Sequence, residues 1–159
     1  MQTTVKNRQT LSTKWRARLK WVVIVIIGGF FLIQLVPYGH NHTNPPVQSE
    51  PAWDSPETRA LVDTACFDCH SNETDWSRWY SNVAPASWLV QRDVDEGRQH
   101  LNFSEWNQGG QPRRMRELVE AVQRGNMPPA QYLLLHSEAK LTQEQIAQLI
   151  AGLQKTVQN

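Results

Sequence analysis

Cys66-Phe67-Asp68-Cys69-His70 holds both cysteines of the 159-residue chain, and its reading governs the rest. A C-x-x-C-H pentapeptide is the attachment pattern of a c-type haem: the two thiols reach neighbouring vinyl groups and the adjacent histidine is placed under the iron. Two other uses of the motif are disfavoured. A thioredoxin-like dithiol calls for a βαβ pattern, and no run here alternates at period two. A structural zinc site needs four ligands, and no second cysteine pair exists. The expected cofactor is one covalent haem c, attached at Cys66 and Cys69, with His70 as proximal ligand.

Around the motif the signals are helical. Upstream, Ser55 as N-cap, Pro56 at the first helical position and Glu57 in the first turn open a helix that delivers Cys66. Downstream, a helix is expected from Pro85 through Trp88, Leu89 and Val94, with Gly97 as its stop. Another runs from Pro112 to Arg124, with Met115, Leu118, Val119 and Val122 on one face and Gly125 beyond its end. The last has a Thr142-x-x-Gln145 capping box, with Leu141 and Ile146 at the staple positions, and an apolar face of Ile146, Leu149, Ile150 and Leu153. The fold class is therefore all-α.

The candidates for the second iron ligand are Met115, Met127, His100 and His136, beside an open position. Met127 precedes Pro128-Pro129, between two helices, and stiff flanks suit a weak thioether ligand whose ordering entropy must be offset. Met115 falls on an apolar helix face, as core residues do. His100 lies near an expected helix end, and His136 is the strongest competitor to Met127, as a ligand, a pocket hydrogen-bond donor or a helix cap. Trp53, Trp76, Trp79, Trp88 and Trp106 could wall a flat cofactor or simply pack the core. Arg78, Arg92 and Arg98 are candidate partners for the propionates.

The charge is uneven. Residues 1–20 contain Lys6, Arg8, Lys14, Arg16, Arg18 and Lys20 and no acid, so the other ten basic residues face all fifteen acidic ones, a net of −5. That excess excludes nucleic acid as a partner. The basic start runs into Trp21–Val36, sixteen uncharged residues reaching about 24 Å as a helix, a little short of the ~30 Å hydrocarbon core. The expectation is a single transmembrane helix, retained because no small-residue cleavage site follows it. The positive-inside rule would then leave the N-terminus in the cytoplasm of a bacterium and the haem domain in the periplasm, anchored to the inner membrane. The expected divisions are a basic N-terminus at 1–20, an anchor at 21–36, a proline-rich linker at 37–55 and the haem domain at 56–159. His40 and His42 in the linker are too few and too mobile to define a metal site.

The ordered series Cys66-Phe-Asp-Cys-His-Ser-Asn-Glu-Thr-Asp-Trp-Ser-Arg-Trp-Tyr80, Glu96-Gly-Arg, Leu101-Asn-Phe-Ser-Glu-Trp106 and Met127-Pro-Pro resembles the bacterial haem-binding-domain family from about Trp53 to Lys155. The resemblance implies a small, helical, cytochrome c-like domain. It carries Cys66, Cys69 and His70 over as attachment and proximal residues and matches Met127 to the family's Met-Pro-Pro methionine. It supplies no redox partner or pathway. The functions that follow are one-electron transfer with a buried, six-coordinate haem, a five-coordinate sensor or peroxidase-like enzyme, or an accessory haem subunit of a membrane complex.

Overall fold

The structure, a computed structural model, describes the backbone of residues 3–107 and 111–158 and the side chains of residues 14–107 and 113–158. Among the described residues there are six α-helices: α1 (Thr3–Ile33), α2 (Pro56–His70), α3 (Ala86–His100), α4 (Gln111–Gln123), α5 (Ala130–Leu133) and α6 (Gln143–Thr156). Short 3-10 turns cover Trp79–Asn82 and Ser137–Ala139. Among the described residues the only β-type pairing is an isolated bridge between Ser49 and Glu105. The all-α expectation holds for the described part of the chain.

α2 organises the domain. Ser55 caps it by accepting from the Thr58 amide at 3.2 Å, and Pro56 opens it where a missing N–H costs nothing. Of its buried residues, Val62, Ala65, Cys66 and Phe67 share one hydrophobic core with Leu149 and Leu153 of α6 and Met115, Leu118, Val119 and Val122 of α4. Full burial of a leucine, valine or methionine is worth about 1.5–3 kcal/mol, so these few residues carry much of the fold. The helix axes approach closely at Gly152, where a Cβ would run into the Thr58 side chain. α6 begins with the expected capping box: the Gln145 amide donates to Thr142 Oγ at 3.2 Å and the Thr142 amide to Gln145 Oε1 at 2.8 Å.

Gly97 does not end α3, which continues to His100. Instead it lets α3 lie directly on α2, since a Cβ at Gly97 would collide with the Cys69 carbonyl. α4, by contrast, stops as the sequence indicates. Gly125 adopts φ +71°, its amide donates to Val122 O at 3.0 Å, and the Asn126 amide donates to Ala121 O at 2.9 Å, the paired bonds of a Schellman termination. The reversal launches the chain straight into Met127-Pro128-Pro129.

The expected membrane anchor is not supported. No helix among the described residues is long and apolar enough to cross a membrane. α1 ends at Ile33 rather than Val36, so its uncharged part is only residues 21–33, about 20 Å at ~1.5 Å per residue, with Arg16, Arg18 and Lys20 immediately before it. The end of the stretch is held by the domain instead: Gln34 Nε2 donates to Ala84 O at 3.0 Å, and Gln34 Oε1 accepts from the Ala84 amide at 2.9 Å. The described helices therefore contradict the expected single-span anchor and the inner-membrane placement that rested on it.

The proline-rich stretch 37–55 is laid along the domain rather than hanging free. The Gln48 and Ser49 amides donate to Ser104 O at 2.9 and 3.1 Å, and Asn44 Nδ2 donates to Thr74 O at 3.0 Å. His42, read as mobile, stacks on Trp76 with ring centroids 4.7 Å apart, and its Nε2 lies 2.8 Å from the Ser81 carbonyl. Backbone polar groups that find partners on the domain order a segment that has no apolar period of its own.

Candidate functional site

The C-terminal end of α2 borders a cavity of about 490 Å³, within the usual range for a cofactor pocket. Ala65, Cys66, Asp68, Cys69 and His70 form one part of its lining, and Met127, Pro128, Pro129 and Tyr132 another. α3 contributes Arg92, Asp93, Glu96, Gly97 and His100, and α4 contributes Arg114, Glu117, Leu118 and Ala121. The structure thus brings Cys66, Cys69, His70 and Met127 to one cavity.

His70 is fixed by its neighbours. The residue is 8 % exposed, and its Nδ1 lies 3.0 Å from Leu101 O. A carbonyl only accepts, so Nδ1 carries the proton and Nε2 keeps its lone pair, the form in which an imidazole binds a metal. The Phe103 amide donates to His70 O at 2.8 Å and the Phe103 ring stands edge-on to the imidazole, holding the turn from both sides. Burial pushes the His70 pKa down, against the opposing pull of the Leu101 carbonyl, which keeps the ring neutral at pH 7.

Both cysteines are free thiols, Cys66 buried and Cys69 partly so. Burial, the largest cause for each, pushes both thiols up to about 12; the Asp68 and Asp93 carboxylates add to the effect at Cys69. At neutral pH they are protonated.

The other sequence candidates separate cleanly. Met115 is fully buried in the core and does not border the cavity. His136 does not border it either: Nδ1 lies 2.9 Å from Tyr132 O, Nε2 lies 2.7 Å from Tyr80 Oη, and the ring stacks on Tyr132 at 3.7 Å. His100 does line the cavity. Of the three arginines, only Arg92 reaches it. Arg78 pairs with Asp75 and Glu138, while Arg98 donates to Ser71 O, Thr43 O, Asn44 Oδ1 and Thr74 Oγ1.

None of the five tryptophans borders the cavity. Trp53 and Trp106 pack on the core, Trp76 stacks on His42, and Trp79 is exposed. The apolar lining comes from Ala65, Leu101, Leu118, Ala121 and the two prolines instead. Sequence reasoning also missed Arg114, one helical turn before Leu118, and the Asp68–Tyr132 hydrogen bond of 2.8 Å.

The donor set fits a haem. Two free thiols border the cavity with an imidazole whose Nδ1 is taken by Leu101 O, a thioether borders the same space, and Arg92, Arg114 and His100 can meet carboxylates. No curated protein and no solved structure gives a match to the chain. The family model described as the haem-binding domain does match, over residues 28–155, and by that match, which spans most of its length, the chain belongs to the haem-binding domain family.

Proposed function

We propose that the chain carries one haem, bound covalently through thioether links to Cys66 and Cys69 with His70 and Met127 as its axial ligands, and that it transfers single electrons to and from a partner protein. The observation that carries this reading is the convergence of His70 and Met127, far apart in sequence, on the cavity that both thiols border. Such a haem supplies a one-electron iron couple.

The protein's part is to hold and tune. His70 is oriented by Leu101 O, a bond that also raises the basicity of the imidazole toward a metal. Met127 is presented by a stiff Met-Pro-Pro segment that leaves the α4 termination with little freedom, so less entropy is lost on fixing a weak ligand. Ala65, Leu101, Leu118 and Ala121 supply an apolar part of a lining that also carries charged groups, and contact with that part would favour the less charged reduced state. If His70 and Met127 both hold the iron, the haem would offer no open position to a substrate, which would favour electron transfer over gas sensing or peroxide chemistry.

Two measurements on the full chain, produced with a haem-attachment system, test the proposal. Haem should remain with the protein through acid–acetone extraction, and voltammetry should show a reversible one-electron couple unaffected by carbon monoxide. Extractable haem overturns the covalent links; rapid carbon monoxide binding to the reduced protein overturns the electron-transfer reading.

A further inference from the structure

Met127 reaches the cavity on a segment that has little core of its own. α5, which follows Pro128-Pro129, buries none of its residues. Apolar burial therefore contributes little to keeping residues 128–135 in place, and polar contacts must do more. Those contacts converge on Tyr132. Its hydroxyl donates to Asp68 Oδ2 at 2.8 Å, and Asp68 is the residue between Phe67 and Cys69 in the attachment motif. Its ring stacks on His136 within 9° of parallel, and its carbonyl oxygen meets His136 Nδ1 at 2.9 Å.

Asp68 is itself held. Its Oδ1 accepts from the Asp75 amide at 2.9 Å, and its carbonyl oxygen accepts from Thr74 Oγ1 at 2.7 Å. Tyr80 Oη, on the 3-10 turn, closes the far side of the group at 2.7 Å from His136 Nε2. Tyr132 is thus clamped between a carboxylate belonging to the C-x-x-C-H turn and a histidine that is held in turn from another element. The chain between Met127 and Tyr132 is four residues, two of them proline.

We propose that Tyr132 and Asp68 form a latch that joins the segment bearing Met127 directly to the attachment turn bearing His70, and that this latch sets how firmly the methionine holds the iron. They are positioning residues: neither need touch the iron. The inference rests on the haem reading with Met127 as distal ligand. A hydrogen bond to a charged acceptor is among the stronger single contacts in a protein, and losing this one leaves only the longer approach of His136 Nε2 to Asp68 Oδ2, 3.7 Å, among the described polar side-chain contacts from this stretch to the motif.

The test is competition by external imidazole for the distal position of the oxidised, haem-loaded full chain, read by the loss of the sulfur–iron(III) absorption band. Tyr132→Phe keeps the ring and its stacking and removes only the hydroxyl. It is expected to raise the apparent imidazole affinity on the order of tenfold, with covalent haem and the band itself retained. In an Asp68→Ala background the same substitution should add almost nothing, since the bond is already absent. Imidazole affinity within twofold of the parent in Tyr132→Phe, or equal effects of the substitution in both backgrounds, overturns the latch while leaving Met127 ligation standing. Absence of the sulfur band from the parent chain overturns both.

Discussion

The Nδ1 of His70 donates to the carbonyl oxygen of Leu101 over 3.0 Å, so the orientation of the proposed proximal ligand is set by the residue that ends α3. Because the acceptor is a backbone carbonyl, no side-chain substitution removes it, and the tautomer is built into the fold. In the haem-free chain, ¹⁵N shifts of His70 should report a neutral ring with its proton on Nδ1 at pH 7, in line with the downward push of burial on its pKa. A proton found on Nε2 would contradict this arrangement.

His136→Ala should leave the iron spectrum of the haem-loaded protein unchanged while lowering stability by about 1–3 kcal/mol, because the buried Tyr80 hydroxyl loses its partner. Urea unfolding beside an absorption spectrum separates the two effects. A changed ligand signature with unchanged stability is the opposite of what this geometry requires.

Gly97→Ala places a methyl group against the Cys69 carbonyl, where backbone cannot yield as a flexible side chain would. The expected cost is about 1–3 kcal/mol of unfolding free energy. On an ordinary helix surface the same change would be stabilising, so the sign of the effect is diagnostic.

The thiols carry a pH dependence that can be isolated. With both pushed up to about 12, the folded haem-free chain keeps protons that the unfolded chain releases near its ordinary thiol value. Their contribution is intact below roughly pH 8.5 and declines as pH rises toward the folded value. Between about pH 9 and 11, therefore, the haem-free parent should lose stability faster than a Cys66→Ala/Cys69→Ala variant, as followed by denaturant midpoints. Alkylation of the folded chain near pH 8 should also run roughly tenfold to a hundredfold slower than that of an exposed cysteine.

Local signals carried the sequence reading furthest. Ser55-Pro56, the Thr142–Gln145 capping box and Gly125 mark helix ends through bonds made within a few residues, and each appears as read. Met115 lies in the core and Met127 borders the cavity, positions that helix periodicity and proline, also local, distinguish along the chain. What escaped depends on distant contacts. Gly97 looked like a stop because its close packing on Cys69 is invisible along the chain. His136 looked like a possible ligand because Tyr80 and Tyr132, which occupy both its nitrogens, reach it only in the folded protein.

The anchor failed for a related reason. A hydropathy window joins Ile33 to Val36 across Gln34, whereas Gln34 binds the Ala84 backbone at the point where the helix has already ended. The tryptophans misled differently: their number is a property of composition, and the cavity is lined by small aliphatic residues, prolines and charged groups instead.

The most direct test of the account is the absorption spectrum of the oxidised, haem-loaded chain, compared among the parent, Met127→Ala and Met115→Leu. The account predicts the weak red charge-transfer band of a sulfur–iron(III) bond in the parent and in Met115→Leu, and its loss in Met127→Ala. A parent spectrum without the band, or a band that survives in Met127→Ala, would contradict the pairing of His70 with Met127; low-spin iron lacking the band would direct attention to His100, the other nitrogen ligand that borders the cavity.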